Sequence, residues 1–401
     1  MRIRNNLNQK TWNRNLVLNL LWESHPTSRS HLAERSGLAL TTISNITADL
    51  MNEQIVMETD DSVAPELGIG RRRQLISLVP GSRVSLAIHL GFAESSIGIV
   101  DLLGNVIVAE PIQISLSATM DNTVFDLVAQ QAAALLERHP DIRERCVGVG
   151  VGIPGLLHDR PVRDFFAAHF DLPVVADSNV RAMALAEYIF GLNRNARSMV
   201  FLYIGKGIAA GIILNGQLWQ GENGRAGGVG LMQLGSALTL DERCAEAAVV
   251  AAYQRQAPER CFASEDEALT HFIECAREQG SAARQTLVAL TEHYCAAIAA
   301  LVDLINPEMI VVGGRMARLD DLLLDPIHRR LAERTTRDNR YAQVDLRVST
   351  LGTQAPLIGT AALSCWTTCF RPQLGRALRR KPRWIAAECD IKPAKPKKKR
   401  R

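Results

Sequence analysis

From Val84 onward the chain runs twice through one order of elements, and this duplication constrains the fold more than any other feature. In the first round "VSLAIHLGFAESSIGIVDLLGNVIVAEPIQI" holds three apolar strands parted by turn residues, and "TVFDLVAQQAAALLERHP" is an amphipathic helix. "CVGVGVGIPGLL" then reads as a buried strand entering a Pro-Gly turn, and "LPVVADSNVRAMALAEYIFG" as a strand followed by a helix from about Asn179 to Gly191. The second round has strands in "SMVFLYIGKGIAAGIILNGQLW", helices through 244–304, the strand "MIVVGG", a helix at 320–333, a strand near "AQVDLRVST" and a last helix at 356–369. Three strands, helix, strand, helix, given twice, predict an α/β body of two lobes built alike with a cleft between them.

The first eighty residues follow another pattern. "NRNLVLNLLWES" places Leu16, Val17, Leu20 and Leu21 at helical spacing and stops at His25-Pro26. A short helix, "TSRSHLAERSG", closes at Gly37, and "TTISNITADLMNEQ" sets Ile43, Ile46, Leu50 and Met51 on one face against Thr42, Asn45 and Asp49 on the other. A strand, a loop and a second strand follow, with Arg71, Arg72 and Arg73 near the tip. The expectation is an N-terminal winged helix-turn-helix. Its third helix would enter the major groove, where Thr41, Thr42, Ser44 and Asn45 can reach base edges. Ser28 and Arg29 would hold a phosphate at the start of the second helix, and the three arginines would track the backbone or a minor groove.

Length and charge divide the chain further. At 401 residues, two or three domains are expected. The divisions read here are a DNA-binding unit at 1–80, a first α/β lobe at 81–190, a second at 191–370 and a basic tail at 371–401. The net charge is +4, yet residues 371–401 hold thirteen Lys or Arg against two acids, a balance of +11 that leaves −7 for everything before. Such a proline-interrupted basic run reads as a disordered tail near polyanions or as a solvated one. Eight scattered cysteines without a Cys-x-x-Cys pair argue against a disulfide framework and a zinc ribbon. No apolar run approaches the ~18 residues of a membrane span, and the N-terminus lacks a signal-peptide core, so a cytoplasmic protein is expected.

"IGKGIAAGIILNGQLW" bears on chemistry. Glycines where the backbone doubles back beside Lys206 are what a phosphate-holding loop needs, since amide N–H groups can then approach an anion unobstructed.

Taken with the N-terminal unit, the segments Gly150–Gly155, "SNVRAMALAEYIFG", "GKGIAAGIILNG" and "INPEMIVVGG" resemble the ROK family of repressors, open reading frames and sugar kinases, over roughly residues 10–370. The pattern is nearest to the family's transcriptional repressors of the N-acetylglucosamine-repressor kind. The resemblance implies the duplicated actin-like, ribonuclease H-like fold of sugar kinases.

The residues on which the family's kinases depend are largely replaced. Their first phosphate turn has an Asp and then Gly-Gly-Thr, where this chain has His89-Leu90-Gly91-Phe92-Ala93. Their catalytic base, the Asp of an Asn-Asp pair, falls at Asn179 after Ser178, and an amide has no usable basicity near neutral pH. The Glu and His that hold sugar hydroxyls and help bind zinc fall at Gly228 and Leu231. Of the family's cysteine cluster only Cys244 stands, and one thiol cannot make a tetrahedral zinc site. The stretch after Gly155 also leaves little room for a long sugar-contacting loop.

The sequence thus predicts a DNA-binding transcriptional regulator, a repressor of carbohydrate-related genes, with no catalytic residue, metal or cofactor. Twofold geometry implies a palindromic operator and a homodimer or tetramer. A sugar or sugar-phosphate effector would lie near Gly155, Asn179, Arg181, Gly205 and Gly207, with Arg181 pairing either with a ligand anion or in an ordinary salt bridge. Two alternatives remain open: a sugar kinase with a DNA-binding head, and a regulator whose body answers to a protein partner.

Overall fold

The computed structural model describes residues 2–63, 73–114, 116, 122–155, 159–191, 196–235, 237–334 and 340–370. Arg71, Arg72 and the basic run 371–401 lie outside the described residues.

The N-terminal unit begins with α1 (Arg2–Ser24), a two-residue strand β1 (Thr27–Ser28), α2 (Arg29–Ser36) and α3 (Leu40–Asn52). It ends with β2 (Val56–Val63) and β3 (Arg73–Leu78), which pair antiparallel with β1 in a three-stranded sheet of order β1-β3-β2. Gly37 ends α2 at φ 70°, a left-handed conformation that glycine adopts without strain, and its N–H closes on the Ala33 carbonyl. The α1 helix starts at Arg2, fourteen residues before Leu16, the first residue of the apolar stripe that announced it.

The first sheet of the body comprises β4 (Val84–His89), β5 (Ser95–Asp101) and β6 (Val106–Ile112), then, after α4 (Asn122–Glu137) and α5 (Pro140–Arg143), β7 (Cys146–Ile153). After α6 (Asp159–Ala167) come β8 (Val174–Ser178) and α7 (Asn179–Phe190). The second sheet has β9 (Ser198–Ile204), β10 (Ile208–Leu214) and β11 (Gln217–Trp219), and four helices follow: α8 (Leu240–Cys244), α9 (Glu246–Gln256), α10 (Glu265–Cys275) and α11 (Ala282–Ile305). The chain closes with β12 (Met309–Gly313), α12 (Asp321–Arg334), α13 (Arg340–Gln343), β13 (Asp345–Val348) and α14 (Ala355–Cys365). The strand orders are β6-β5-β4-β7-β8 and β11-β10-β9-β12-β13. In each, the first three strands pair antiparallel and the fourth and fifth join in parallel, so the two lobes share one topology.

Three expectations need correction. The stretch after Gly155, to which no element was assigned, contains α6, whose Phe166 is fully buried against Phe125. The lobes also exchange helices: α7 packs on β9 and β10 of the second sheet, while α14, from the far end of the chain, packs on β4, β5 and β7 of the first. A cut at residue 190 therefore separates the sheets but not their helical cover. Finally, α11 is long and apolar enough to cross a bilayer. In the fold its Leu287, Leu290, Tyr294, Ile298 and Leu301 fill the second lobe's core.

The N-terminal unit does not sit on a tether. Val17, Leu21, Trp22, Leu32, Ile43 and Leu50 share one apolar cluster with Leu102, Leu185, Ile189 and Leu363 of the body. Trp22 is the pin. Its indole N–H donates to the Leu102 carbonyl at 2.5 Å, and its ring meets Phe190 edge-on at 5.5 Å. Phe190 ends α7, so one helix of twelve residues, ~18 Å long, runs from Asn179 to the N-terminal unit.

Candidate functional site

Strand register gathers the polar residues of the first lobe. His89 lies opposite Gly152, and Gly152 opposite Asp177, so the three stand in a row at the C-terminal ends of adjacent parallel strands. Open α/β sheets bind their ligands at such ends. The next turn of chain starts α7 at Asn179.

Asn179 and His89 face each other inside this row. The Asn179 Nδ2 donates to the Leu90 carbonyl at 2.6 Å, which points Oδ1 at His89 Nδ1, 3.0 Å away. The imidazole N–H is the donor in that contact. Burial lowers the His89 pKa to about 4, against the partial support of the Asn179 bond, so the ring is neutral near pH 7. A Cβ on Gly152 would fall 2.5 Å from both Asn179 Oδ1 and Thr360 Oγ1, so glycine leaves the space in which the pair meets. With the ring neutral and the amide without usable basicity, the two side chains satisfy each other through a buried hydrogen bond.

Arg181 is buried one turn further on. Its Nε donates to Asp177 Oδ1 at 2.5 Å, its Nη2 pairs with the same oxygen, and its Nη1 donates to the Gly224 carbonyl at 2.6 Å. Asp177 Oδ2 accepts from Gln220 Nε2 at 2.7 Å. The salt-bridge alternative for Arg181 is therefore the one seen, and with Gln220 and Gly224 it ties the first lobe to the loop after β11. The four-residue spacing of Asp177 and Arg181 was the available signal for this pair.

The glycine turn lies at the matching end of the second sheet. Gly205 N–H donates to the Gly207 carbonyl at 3.1 Å, the Gly205 carbonyl accepts from Glu246 N–H at 3.0 Å, and Ile208 N–H donates to Asp241 Oδ1 at 2.6 Å. These backbone groups serve the turn itself. Lys206 Nζ donates to Glu265 Oε1 at 2.7 Å and lies 3.4 Å from Asp266 Oδ1. Arg315 binds both oxygens of buried Glu246 and reaches Asp266 Oδ1 at 2.9 Å, a hydrogen bond that holds Asp266 below the usual carboxylate range. Burial, with Glu246 nearby, pushes the Tyr203 phenol up to about 12. The partners of Lys206 come from α10, about sixty residues on, and no local pattern announced them.

The remaining ligand candidate, Gly155, is exposed two residues after the end of β7. Gly228 precedes a single helical turn, Val229–Leu231, which Leu231 ends, and Leu231 is exposed. Cys244 is fully buried at the end of α8, and among the described residues no three His, Cys, Asp or Glu gather as metal ligands. A cavity of about 400 Å³ lies elsewhere, between α9 and α11, lined in part by Ala248, Ala252, Arg255, Ala289 and His293.

In the N-terminal unit Ser28 is buried and caps α2, accepting from His31 N–H at 3.2 Å. Arg29 donates to Thr47 Oγ1 at 3.1 Å and Glu58 Oε1 at 2.9 Å, fastening α2 to α3 and β2. Both residues expected to hold a phosphate thus have partners within the unit. On α3, Thr41 and Asn45 are exposed, while Thr42 and Ser44 are half-buried; Arg73 is exposed on β3.

The ROK family model matches residues 85–365, which run from β4 to α14. A xylose repressor of Caldicellulosiruptor bescii is 24% identical over 388 residues, covering 88% of this chain and 95% of that protein. The DNA-binding transcriptional dual regulator NagC of Escherichia coli K12 is 25% identical over 352 residues, covering 79% and 84%. Among solved structures, a ROK family transcriptional regulator described as a homologue of the E. coli MLC protein superposes with a TM-score of 0.74 at 21% identity, covering 92% of this chain and 99% of that one.

Proposed function

The chain belongs to the ROK family, and from that premise we propose that it is a sequence-specific DNA-binding transcriptional regulator. In this reading it is a repressor of carbohydrate-related genes, and its α/β body senses an effector and dimerises without transferring phosphate. The observation that carries the proposal is α3: an amphipathic helix, entered through a glycine turn, buries Ile43, Ile46 and Leu50 and leaves Thr41 and Asn45 exposed beside the β2–β3 pair. In this reading the unit is a winged helix-turn-helix whose Thr41, Thr42, Ser44 and Asn45 serve base edges and whose Arg73, with Arg71 and Arg72 outside the described residues, serves phosphates. Ser28 and Arg29 are kept in the reading as supports of the unit. The names of the xylose repressor and NagC relatives agree with the same role.

A kinase reading must supply a base at position 179, and Asn179 is an amide held by His89 and Leu90. A palindromic operator, a homodimer and a sugar or sugar-phosphate effector near Gly155, Asn179 and Arg181 complete the proposal. Genome-wide mapping of bound DNA tests it: discrete peaks beside sugar-uptake or sugar-breakdown genes are expected. Failure of the purified protein to bind any duplex at low salt overturns it.

A further inference from the structure

The cavity between α9 and α11 has a construction of its own, apart from the strand ends of either lobe. Ala248 and Ala252 stand one turn apart on α9, Ala289 and His293 one turn apart on α11, and all four line it. Four-residue spacing turns each pair to one face of its helix. Methyl side chains at three of the four positions leave the space open, and its volume of about 400 Å³ is that of a small-molecule site.

The polar groups over this alanine floor are mainly cationic. Arg243, on the last turn of α8, donates from Nη1 to His293 Nε2 at 3.2 Å, and Arg255, exposed on the last turn of α9, lines the same space. A guanidinium only donates, so the imidazole accepts at Nε2 and is held neutral. Burial, and then the Arg243 charge, lower the His293 pKa. The acid in the lining, Glu242, is engaged in the cap of α8: its Oε2 accepts from Thr239 N–H at 2.7 Å and from Thr239 Oγ1 at 2.9 Å. Glu292, next to His293 in sequence, pairs with Arg330 of α12 at 2.9 Å. The carboxylates nearest the cavity therefore have partners, while Arg243 and His293 repel each other as soon as the ring takes a proton. An anion between them turns that repulsion into two charge-assisted bonds, and a carboxylate matches the planar fork of a guanidinium.

We propose that this cavity binds a small organic carboxylate, its oxygens held by Arg243 and His293 and its apolar body laid on Ala248, Ala252 and Ala289. The cavity shares α8 with the glycine turn, since Asp241, two residues before Arg243, accepts from Ile208 N–H at 2.6 Å. A ligand here thus touches the helix that holds the turn. The inference is independent of the DNA-binding reading.

The experiment titrates the full-length protein by calorimetry with propionate, benzoate and naphthoate, each beside its neutral amide. At least one carboxylate should bind saturably, and its amide at least about tenfold more weakly. Arg243→Gln should weaken that carboxylate by about tenfold or more, as the loss of a charge-assisted hydrogen bond requires. Ala289→Phe, at an exposed position, should weaken it as much by filling the space, and it keeps the test decisive should the Arg243 variant fail to fold. NMR titration should show the His293 pKa raised by the bound carboxylate. Absence of saturable binding by all three acids, equal binding of acid and amide, or binding unchanged in Ala289→Phe overturns the inference.

Discussion

His89 Nδ1 and Asn179 Oδ1, separated by ninety residues of sequence, meet at 3.0 Å within the first lobe. In the family's kinases the two positions serve the phosphate turn and the catalytic base; here they satisfy each other. A neutral imidazole N–H needs an acceptor once buried, and the amide oxygen supplies it.

Restoring the acid alone will not restore a kinase. Asn179→Asp places a carboxylate beside the buried ring, and the pair should ionise together, raising the His89 pKa well above its value of about 4. A coupled assay with ATP and hexoses should stay at background, while NMR titration of the imidazole should show the rise. Sustained turnover in this variant would refute the non-catalytic reading.

The pair also sets a pH dependence. The folded pKa of His89 is depressed to about 4 against an unfolded value of 6.5, so the unfolded state binds the extra proton between those values. Its contribution is complete above about pH 6.5, falls as the pH drops toward 4 and is then exhausted, on the order of 3 kcal/mol in all. Chemical denaturation at pH 7 and pH 5 should show the loss, and His89→Gln should reduce the difference.

Trp22→Ala removes a side chain that is 2% exposed and joins the N-terminal unit to the body. A cost of about 3–5 kcal/mol is expected from the lost burial and the cavity left behind. Calorimetry should show one cooperative transition in the parent protein and two in the variant, as the unit melts separately.

Arg315→Ala leaves Glu246, 1% exposed, without the guanidinium that holds both its oxygens. An unpaired buried charge costs about 3–5 kcal/mol, whereas Glu246→Gln combined with Arg315→Ala should recover part of it. Denaturant midpoints of the single and double variants decide the point.

On DNA, Asn45→Ala and Arg73→Ala should fail differently. The first should cost about 1–3 kcal/mol on the specific site and relax preference at one base position, as expected of a base-edge contact. The second should weaken all duplexes alike and lower the salt slope by about 1. Binding titrations on matched and single-mismatch duplexes separate the two.

The division between sequence and structure follows the range of each interaction. Strands and helices were legible because periods of 2 and 3.6 are local, and so was the duplicated order that fixes two lobes of one topology. The helix α3 with its buried Ile43, Ile46 and Leu50 was legible for the same reason, as was the absence of an acid at Asn179, a matter of residue identity. The sequence missed α6, whose Phe165-Phe166 pair reads as loop until Phe125 is there to cover it. Only the tertiary structure decided that His89 answers Asn179, that Trp22 reaches Leu102 and Phe190, and that Lys206 pairs with Glu265 and Asp266. Each of these contacts joins residues some sixty to a hundred and seventy positions apart, where no local period reports which buried polar group will find which partner.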